Sequence, residues 1–207
     1  MTLRLPERFF IAGTDTGIGK TMTAAILMAG LKGTYWKPIQ SGHAQGSDTG
    51  WIMTVTGLPK HHFHPETYRL SRPLSPHAAA RADGLCIDLE AFALPECTGP
   101  LIVEGAGGIM VPLNEKAMIT DLIKHLGLPV LLVAKSGLGT INHTLLSLEQ
   151  LKRREIAVAG IVLNGEPNPE NREAIADYGK VPLPAEIPPL GRVDAKMLAA
   201  CFQQYFQ

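Results

Sequence analysis

A glycine-rich loop between a predicted strand and a predicted helix constrains this chain more than any other feature. The apolar run 9–12 precedes the loop 13–21, and an apolar helical stretch, Lys20–Leu31, follows it. In such a loop, glycines let backbone N–H groups turn inward around a phosphate chain, and the helix N-terminus adds its positive dipole end. Lys20 would reach the β- and γ-phosphates, and the Thr21 hydroxyl would ligate Mg²⁺. The sequence therefore predicts a nucleoside-triphosphate site.

This loop is one residue longer than the usual phosphate-binding pattern, in which four residues separate the first glycine from the Gly-Lys pair. Thr14 stands at that first position, and Gly13 lies one residue further back. The alternative is a glycine-rich turn that only opens a helix. An intact Gly19-Lys20-Thr21 placed directly after a strand argues against that alternative. The glycines are not spaced as G-x-G-x-x-G, which excludes a dinucleotide-binding fingerprint.

Short apolar runs alternate with helical patterns along the rest of the chain, which is typical of βαβ units and a parallel sheet. The runs lack polar alternation, as expected of strands covered on both faces. After 9–12 they are 34–37, 100–104, 129–134 and 157–163. We expect an α/β protein with a three-layer α/β/α fold and a mostly parallel sheet, of the P-loop NTPase class, as a single domain over residues 1–207.

Three local patterns refine this expectation. Apolar residues at helical spacing predict an amphipathic helix over about residues 141–154. Ser75 is predicted as an N-cap, with Pro76 at the first helical position. Several prolines in 181–191 predict an ordered loop after a short strand.

The charge balance and the cysteines bear on partners and compartment. Nineteen basic residues balance nineteen acidic ones, so no electrostatic argument favours nucleic acid or a membrane surface as a partner. The three cysteines are an odd number at wide spacing, which suggests reduced thiols rather than disulfides or a zinc site. The N-terminal residues 1–8 lack the apolar stretch of a signal peptide. We expect a cytoplasmic protein.

Candidate metal ligands follow the predicted strands, where ligands gather in open α/β sheets. Glu104 closes the strand 100–104, and Asp48 lies in the segment after the strand 34–37. A Mg²⁺ ion bound to a nucleotide usually takes one or two carboxylates, a hydroxyl, phosphate oxygens and water. Asp48 and Glu104 are the carboxylates expected beside Thr21. For each, the alternative is a solvated loop acid or a helix cap.

Lys37 closes a predicted strand, where a lysine is ordinarily an exposed charge. The phosphate loop makes a second lysine useful. ATP with an incoming anion concentrates about five negative charges, whereas Mg²⁺ and Lys20 supply only three positive ones. A nearby Lys37 would narrow this deficit.

These motifs, in this order, resemble the dethiobiotin synthetase family, whose pattern runs through GTDTxxGKT, YKPxxSG, SD, SPH, VEGAGG, GxINH, a later Asn and EIP. The likeness spans about residues 9–190. Any one motif is moderately specific, but the ordered set is highly specific. The matching segments are 13–21, 36–42, Ser47-Asp48, Ser75-Pro76-His77, 103–108, 139–143, Asn164 and Glu186-Ile187-Pro188.

The resemblance implies a role for each matching position. The nucleotide would be held by Gly17, Ile18, Gly19, Lys20, Thr21, Met22, Gly105, Ala106 and Gly107, with adenine at Asn164, Pro188, Pro189 and Leu190. Mg²⁺ would be bound by Thr21, Asp48 and Glu104. Lys37 and Lys20 would be catalytic. The substrate would contact Thr16 and Ser41, and its carboxylate tail would meet Gly139, Thr140, Ile141 and Asn142 from the other subunit of a homodimer.

The implied reaction closes a ureido ring on 7,8-diaminononanoate with CO2, using ATP and Mg²⁺. A carbamate forms on one amine, its oxygen attacks the γ-phosphate, and the other amine displaces phosphate from the resulting carbamic-phosphoric anhydride. The products are dethiobiotin, ADP and phosphate, in biotin biosynthesis. No covalent protein intermediate is required, so the protein positions groups and stabilises charge.

Some positions depart from the family pattern. Gly17 replaces an acidic residue in the loop, Trp36 replaces the Tyr before the catalytic Lys, and Ala185 replaces a Gly before Glu-Ile-Pro. The segment between Asp48 and Ser75 also diverges. The contacts to adenine are the ones most affected.

Other functions remain open at this point. A partition- or metal-chaperone-type ATPase switch resembles this fold, although such proteins usually carry a lysine early in the loop, where Asp15 stands. A cobyrinic acid-type amide ligase shares the phosphate loop but needs a glutamine-splitting domain. His61, His62 and His64 suggest a metal site, although three loop histidines more often form a solvated or partly packed patch.

Overall fold

Strands and helices alternate along the chain in the computed structural model, which describes residues 5–206. The strands are β1 (Arg8–Gly13), β2 (Thr34–Trp36), β3 (Ile39–Gln40), β4 (Phe63–His64), β5 (Tyr68–Arg69), β6 (Leu101–Glu104), β7 (Val130–Lys135), β8 (Val158–Asn164) and β9 (Ala185–Ile187). The helices are α1 (Lys20–Leu31), α2 (Asp48–Thr56), α3 (Pro76–Ala82), α4 (Ile119–Leu126), α5 (Thr140–Arg153), α6 (Pro169–Gly179) and α7 (Ala195–Phe206). Within this range no helix has the length and apolar character needed to cross a bilayer. Part of the N-terminal segment examined for a signal peptide, residues 1–4, lies outside the described residues.

Seven of the strands form one sheet in the order β4-β2-β6-β1-β7-β8-β9, and all their pairings are parallel. β6 lies between β1 and β2, although it comes much later in the chain. β3 and β5 form a separate two-stranded sheet. Because parallel strands share one direction, the carboxyl ends of β2, β6 and β1 lie side by side at one edge of the sheet.

Helices cover both faces of the sheet. Phe10 and Ala12 of β1 belong to a core packed against α3, α4, α5 and α6. Their neighbours Phe9 and Ile11 belong to a second core packed against α1, α2 and α7. Successive strand side chains point to opposite faces, so an uninterrupted apolar run supplies both cores. The predicted three-layer α/β/α fold is confirmed.

Most predicted elements lie where the sequence placed them. α1 has its predicted limits, and α5 begins and ends one residue before the predicted 141–154. The predicted loop 181–191 is wrong in part, because Ala185–Ile187 forms β9 and pairs with β8. An edge strand needs hydrogen bonds on one side only, so the surrounding prolines flank it without preventing it.

The predicted cap at Ser75 is only half right. Ser75 is the residue before α3, and Pro76 begins the helix as predicted. The Ser75 hydroxyl, however, lies 3.1 Å from His77 Nδ1 and makes no hydrogen bond to the helix backbone. A neighbouring imidazole therefore takes the place of the backbone N–H as its partner.

The close approach of α1 and α7 gives a stability test. We expect Gly30→Ala to lower the free energy of unfolding by about 1–3 kcal/mol, because overpacking forces neighbouring groups to move. A Cβ at Gly30 would lie 2.0 Å from Cγ of Phe202. Helix propensity alone predicts the opposite effect, an increase of about 1 kcal/mol in the free energy of unfolding, because alanine favours a helix more than glycine does. Urea denaturation of the purified chain measures the difference.

Gly191→Ala is the matched control, since a Cβ there would meet nothing within 4 Å. Its unfolding midpoint should stay close to that of the unmodified chain. A Gly30→Ala variant as stable as this control would contradict the packing between the two helices.

Candidate functional site

The predicted phosphate loop curves from the end of β1 into α1. Gly17 and Gly19 have φ angles of 70° and 94°, a left-handed conformation that residues with a Cβ rarely adopt. The Lys20 ammonium donates to the backbone carbonyl of Asp15 at 2.8 Å. A Cβ at Gly13 would lie 2.7 Å from that nitrogen. The loop thus wraps closely around the Lys20 ammonium.

Two predicted nucleotide-binding positions in this region face the core. The side chains of Ile18 and Met22 pack against the core beneath α1. Any contact from these positions to a phosphate would therefore come from the backbone N–H, as expected at a helix N-terminus.

Glu104, the last residue of β6, collects three side chains around one buried carboxylate. Its Oε1 accepts hydrogen bonds from the Thr21 hydroxyl and the Lys37 ammonium, both at 2.9 Å. Its Oε2 accepts from the Tyr35 hydroxyl, also at 2.9 Å. The order β2-β6-β1 produces this meeting, because Tyr35 lies in β2, Lys37 directly follows it, and Thr21 lies in the helix after β1.

Lys37 is a buried cation rather than the exposed charge that a strand-end lysine usually carries; only 4% of it is exposed. Burial by itself would lower the pKa of Lys37, but the charges of Glu104 and Asp48 outweigh it and raise the pKa. The ammonium forms salt bridges with both carboxylates. It therefore stays charged at neutral pH.

Asp48 is positioned by its neighbours at the start of α2. Ser47 caps this helix by accepting from the backbone N–H of Gly50 at 3.0 Å. The side-chain carbonyl of Gln40 accepts from the backbone N–H of Asp48 at 3.0 Å. Asp48 is therefore neither a free loop acid nor the cap itself, since Ser47 makes the cap and leaves the Asp48 carboxylate for Lys37.

The donor set fits a divalent cation. In the structure the Lys37 ammonium lies between the two carboxylates, and so marks a point where positive charge is stabilised. The Thr21 hydroxyl shares Glu104 with it. Two carboxylates and a hydroxyl are ligands that Mg²⁺ takes beside nucleotide phosphates. Among residues 5–206, no three His, Cys, Asp or Glu side chains cluster as an all-protein metal cage would require.

A cavity of about 530 Å³ opens beside this cluster. Six of the predicted site residues line it: Thr16, Lys37, Ser41, Asp48, Ala106 and Gly107. The Ser41 hydroxyl is buried and has no hydrogen-bond partner within the described part of the chain. Unsatisfied buried polar groups are rare, so this hydroxyl is available to a bound ligand.

The predicted adenine residues lie at the same edge of the sheet, at the ends of β8 and β9, which are two and three strands from β1. Asn164 closes β8 and is paired with Ile187 of β9, so the segment Pro188, Pro189 and Leu190 begins beside it. The Asn164 amide donates to the Gly19 carbonyl at 3.2 Å and to the Thr23 hydroxyl at 3.3 Å. These bonds fix the amide against the back of the phosphate loop.

The segment predicted to hold a carboxylate tail does not line the Lys37 cavity within one chain. Gly139, Thr140, Ile141 and Asn142 follow β7 and open α5, with Gly139 at a φ of 87°. Thr140 is buried, and Asn142 lines a different cavity between α5 and α6. Leu138, directly before this segment, is 96% exposed.

Sequence reasoning missed two polar residues at the site. Tyr35 lies inside an apolar strand run and looks like core, so no sequence signal marks its hydroxyl. Gln40 lies within the matching segment 36–42 and lines the cavity, but its link to Asp48 depends on the turn after β3. Two of the three clustered histidines are partly packed: His62 Nδ1 lies 2.7 Å from the Gly33 carbonyl, and His64 packs edge-on against Trp36. His61 is exposed.

Comparison with known proteins identifies close relatives. A family model described as an AAA domain matches residues 7–197. An ATP-dependent dethiobiotin synthetase of Paramagnetospirillum magneticum is 49% identical over 92% of this chain and 92% of its own length. One from Rhodopseudomonas palustris is 47% identical over 95% of this chain and 92% of its own length. A biotin biosynthesis bifunctional protein of Bordetella avium is 48% identical over 93% of this chain, which spans 42% of that longer protein.

Solved structures with low sequence identity share the fold. A ParA family ATPase from Chlorobium tepidum superposes with a TM-score of 0.55 at 12% identity, covering 97% of this chain and 90% of that one. The MinC:MinD cell division complex of Aquifex aeolicus gives 0.53 at 13% identity, covering 90% and 82%. At such identities the likeness concerns the fold alone.

Lys20 offers a test of the site's electrostatics. Burial, with a smaller contribution from the Lys37 charge, lowers the pKa of Lys20 to about 8, although Glu104 acts in the opposite direction. In metal-free and nucleotide-free buffer at pH 7, we expect Lys20→Met to raise the free energy of unfolding by about 2 kcal/mol. The gain from removing a buried charge exceeds the loss of the bond to Asp15.

The pH dependence follows from the direction of this shift. The loss of folding stability caused by the buried Lys20 charge is complete below a pH of about 8. It fades as the pH rises towards 10.5, the pKa of a lysine in the unfolded chain. The urea midpoint of Lys20→Met should therefore exceed that of the unmodified chain at pH 7. The difference between the two midpoints should shrink at pH 10. A Lys20→Met variant less stable than the unmodified chain at pH 7 would contradict a strained buried charge.

Proposed function

The chain belongs to the ATP-dependent dethiobiotin synthetase family, and from this membership we propose that it closes the ureido ring of dethiobiotin from 7,8-diaminononanoate, CO2 and ATP. It is then a ligase of biotin biosynthesis that forms C–N bonds, acting in the cytoplasm. The single observation that carries the proposal is the convergence of Lys20, Lys37 and two carboxylates beside a cavity at the phosphate loop.

The proposed reaction begins on one amine of the diamine. The neutral amine attacks CO2 and loses a proton, giving a carbamate. A carbamate oxygen then attacks the γ-phosphorus of ATP, and ADP leaves. The second amine attacks the carbamic-phosphoric carbonyl, phosphate leaves, and the ring closes with loss of a proton.

The charge balance explains why a second lysine and a divalent cation belong at this site. Lys20 and Lys37 are balanced by Asp48 and Glu104, so the protein alone offers the triphosphate no net positive charge. When bound, Mg²⁺ would neutralise phosphate charge, with Thr21, Asp48 and Glu104 as its protein ligands. Lys37 would then face the carbamate, and Lys20 the terminal phosphoryl group.

The cavity suits the diamine in both of its chemical parts. The unpartnered Ser41 hydroxyl, in the cavity that Lys37 also lines, would supply a hydrogen bond to the polar end of the diamine. The lining groups Pro73, Leu74 and Val111 are apolar and suit an aliphatic carbon chain.

An alkyl amine with a pKa near 10.4 is neutral in roughly one molecule per thousand at pH 7.4. With Asp48 and Glu104 engaged by Mg²⁺, the lysine ammonium groups would disfavour the charged form of the amine by repulsion.

A homodimer would complete the site. The N-terminus of α5, with Gly139, Thr140, Ile141 and Asn142, carries the positive end of a helix dipole that suits the substrate's carboxylate. It lies away from the Lys37 cavity of its own chain, beside the almost fully exposed Leu138. Contact with a second copy would bury this leucine and bring the helix N-terminus to the neighbouring cavity.

Removing either lysine tests the proposed reaction. We expect Lys37→Ala and Lys20→Ala each to abolish product formation and diamine-dependent ATP turnover, since each deletes a charge that steadies developing negative charge. The assay contains diamine, bicarbonate, Mg²⁺ and ATP, and follows by mass the replacement of two amine hydrogens by one carbonyl group, together with release of phosphate. Lys196→Ala, an exposed lysine on α7, is the control and should turn over normally. Near-normal turnover in either site variant would refute the assigned roles.

Mixing two inactive variants tests whether the site is shared between subunits. Lys37→Ala and Asn142→Asp should each be inactive, the second because a negative charge repels the substrate carboxylate. In a hybrid dimer, one of the two sites would regain both intact parts. An equal mixture with random pairing should therefore recover about a quarter of normal activity. No recovery after confirmed subunit exchange would place both parts in one chain.

A further inference from the structure

We propose that Tyr35 is a positioning residue that holds the Glu104 carboxylate in the orientation required for the metal–nucleotide complex; this inference rests on the proposed function. Tyr35 is the middle residue of β2 and is fully buried in the core beneath α1 and α2. The aromatic ring packs within this apolar core, and its hydroxyl is the only polar atom of the side chain. It donates to Oε2 of Glu104 at 2.9 Å.

The two oxygens of Glu104 have separate partners. Oε1 faces the phosphate loop and accepts from Thr21 and Lys37. Oε2 faces the core, and in residues 5–206 Tyr35 alone donates to it. A carboxylate can rotate about its terminal torsion, which has broad energy wells. The Tyr35 bond therefore selects the rotation that presents Oε1 to the phosphate loop.

The phenol suits this task because it is uncharged and held by packing. Its ring contacts Phe63 edge-on, with centroids 6.1 Å apart, and β2 is paired on both sides, with β6 and β4. A neutral donor anchors the carboxylate without neutralising it. The phenol adds no positive charge beside Glu104, whereas a second lysine at this position would compete with the cation.

The test separates the metal-dependent part of nucleotide affinity from the metal-independent part. Tyr35→Phe removes the hydroxyl and keeps the ring. Titration calorimetry with a non-hydrolysable ATP analogue is performed on each chain in Mg²⁺ and again in EDTA. We expect roughly 10-fold weaker binding of the analogue by the variant in Mg²⁺, a typical loss when a ligand's outer partner is removed. Binding in EDTA should be unchanged.

Tyr68→Phe is the matched control, since it deletes the same hydroxyl from a different site. The Tyr68 hydroxyl accepts from the backbone N–H of Asp88, and neither residue lines the Lys37 cavity. Its affinities should equal those of the unmodified chain in both buffers. Thermal unfolding of each variant, with native circular dichroism, confirms that the compared proteins are folded.

Two results would overturn the role of Tyr35. Equal affinities for Tyr35→Phe and the unmodified chain in Mg²⁺ would show that the hydroxyl does not orient the carboxylate. A loss of the same size in Mg²⁺ and in EDTA would show general damage to the core. If Mg²⁺ does not strengthen binding by the unmodified chain, the metal assignment fails first, and the role of Tyr35 fails with it.

Discussion

The carboxylate of Glu104 is the point on which the arrangement of this site depends. A buried charge is unfavourable unless it is paired and hydrogen-bonded. Glu104 meets that requirement with Thr21 from α1, Tyr35 from β2 and Lys37 from the residue after β2. The carboxylate thereby links the phosphate loop to the second lysine. Loss of any one partner would leave the others with altered charge or unsatisfied hydrogen bonds.

The burial that strengthens these interactions also destabilises the charged form of Lys20. Lys37 is stabilised as a cation by two carboxylates, whereas burial lowers the pKa of Lys20 to about 8. The two lysines lie in the same cluster yet shift in opposite directions, because Lys37 has direct salt bridges and Lys20 has only a carbonyl. A phosphate chain would supply the partner that Lys20 lacks. The phosphate loop is thus organised for an anion at some cost in stability.

The same reasoning applies to the far end of the proposed substrate. One chain provides the lysines, the carboxylates and the unpartnered Ser41 hydroxyl. The N-terminus of α5, which suits a carboxylate, does not line that cavity and stands beside the exposed Leu138. In the proposed homodimer, contact with a second copy would cover this helix end and the exposed leucine together. The proposed dimer therefore follows from what one chain leaves incomplete.

Local patterns in the sequence determined the elements and the chemistry available to this protein. The uninterrupted apolar runs, the glycines of 13–21 and the ordered motifs identified the layered fold, the phosphate loop and the family, because these depend on residues close together in the chain. The tertiary structure alone decided that β6 enters between β1 and β2, which brings Glu104 between Thr21 and Lys37. It also decided that Tyr35 turns its hydroxyl onto that carboxylate. It decided as well that Ala185–Ile187 adds an edge strand among prolines. Strand order and such contacts depend on packing between distant segments, and no local spacing in the chain encodes them.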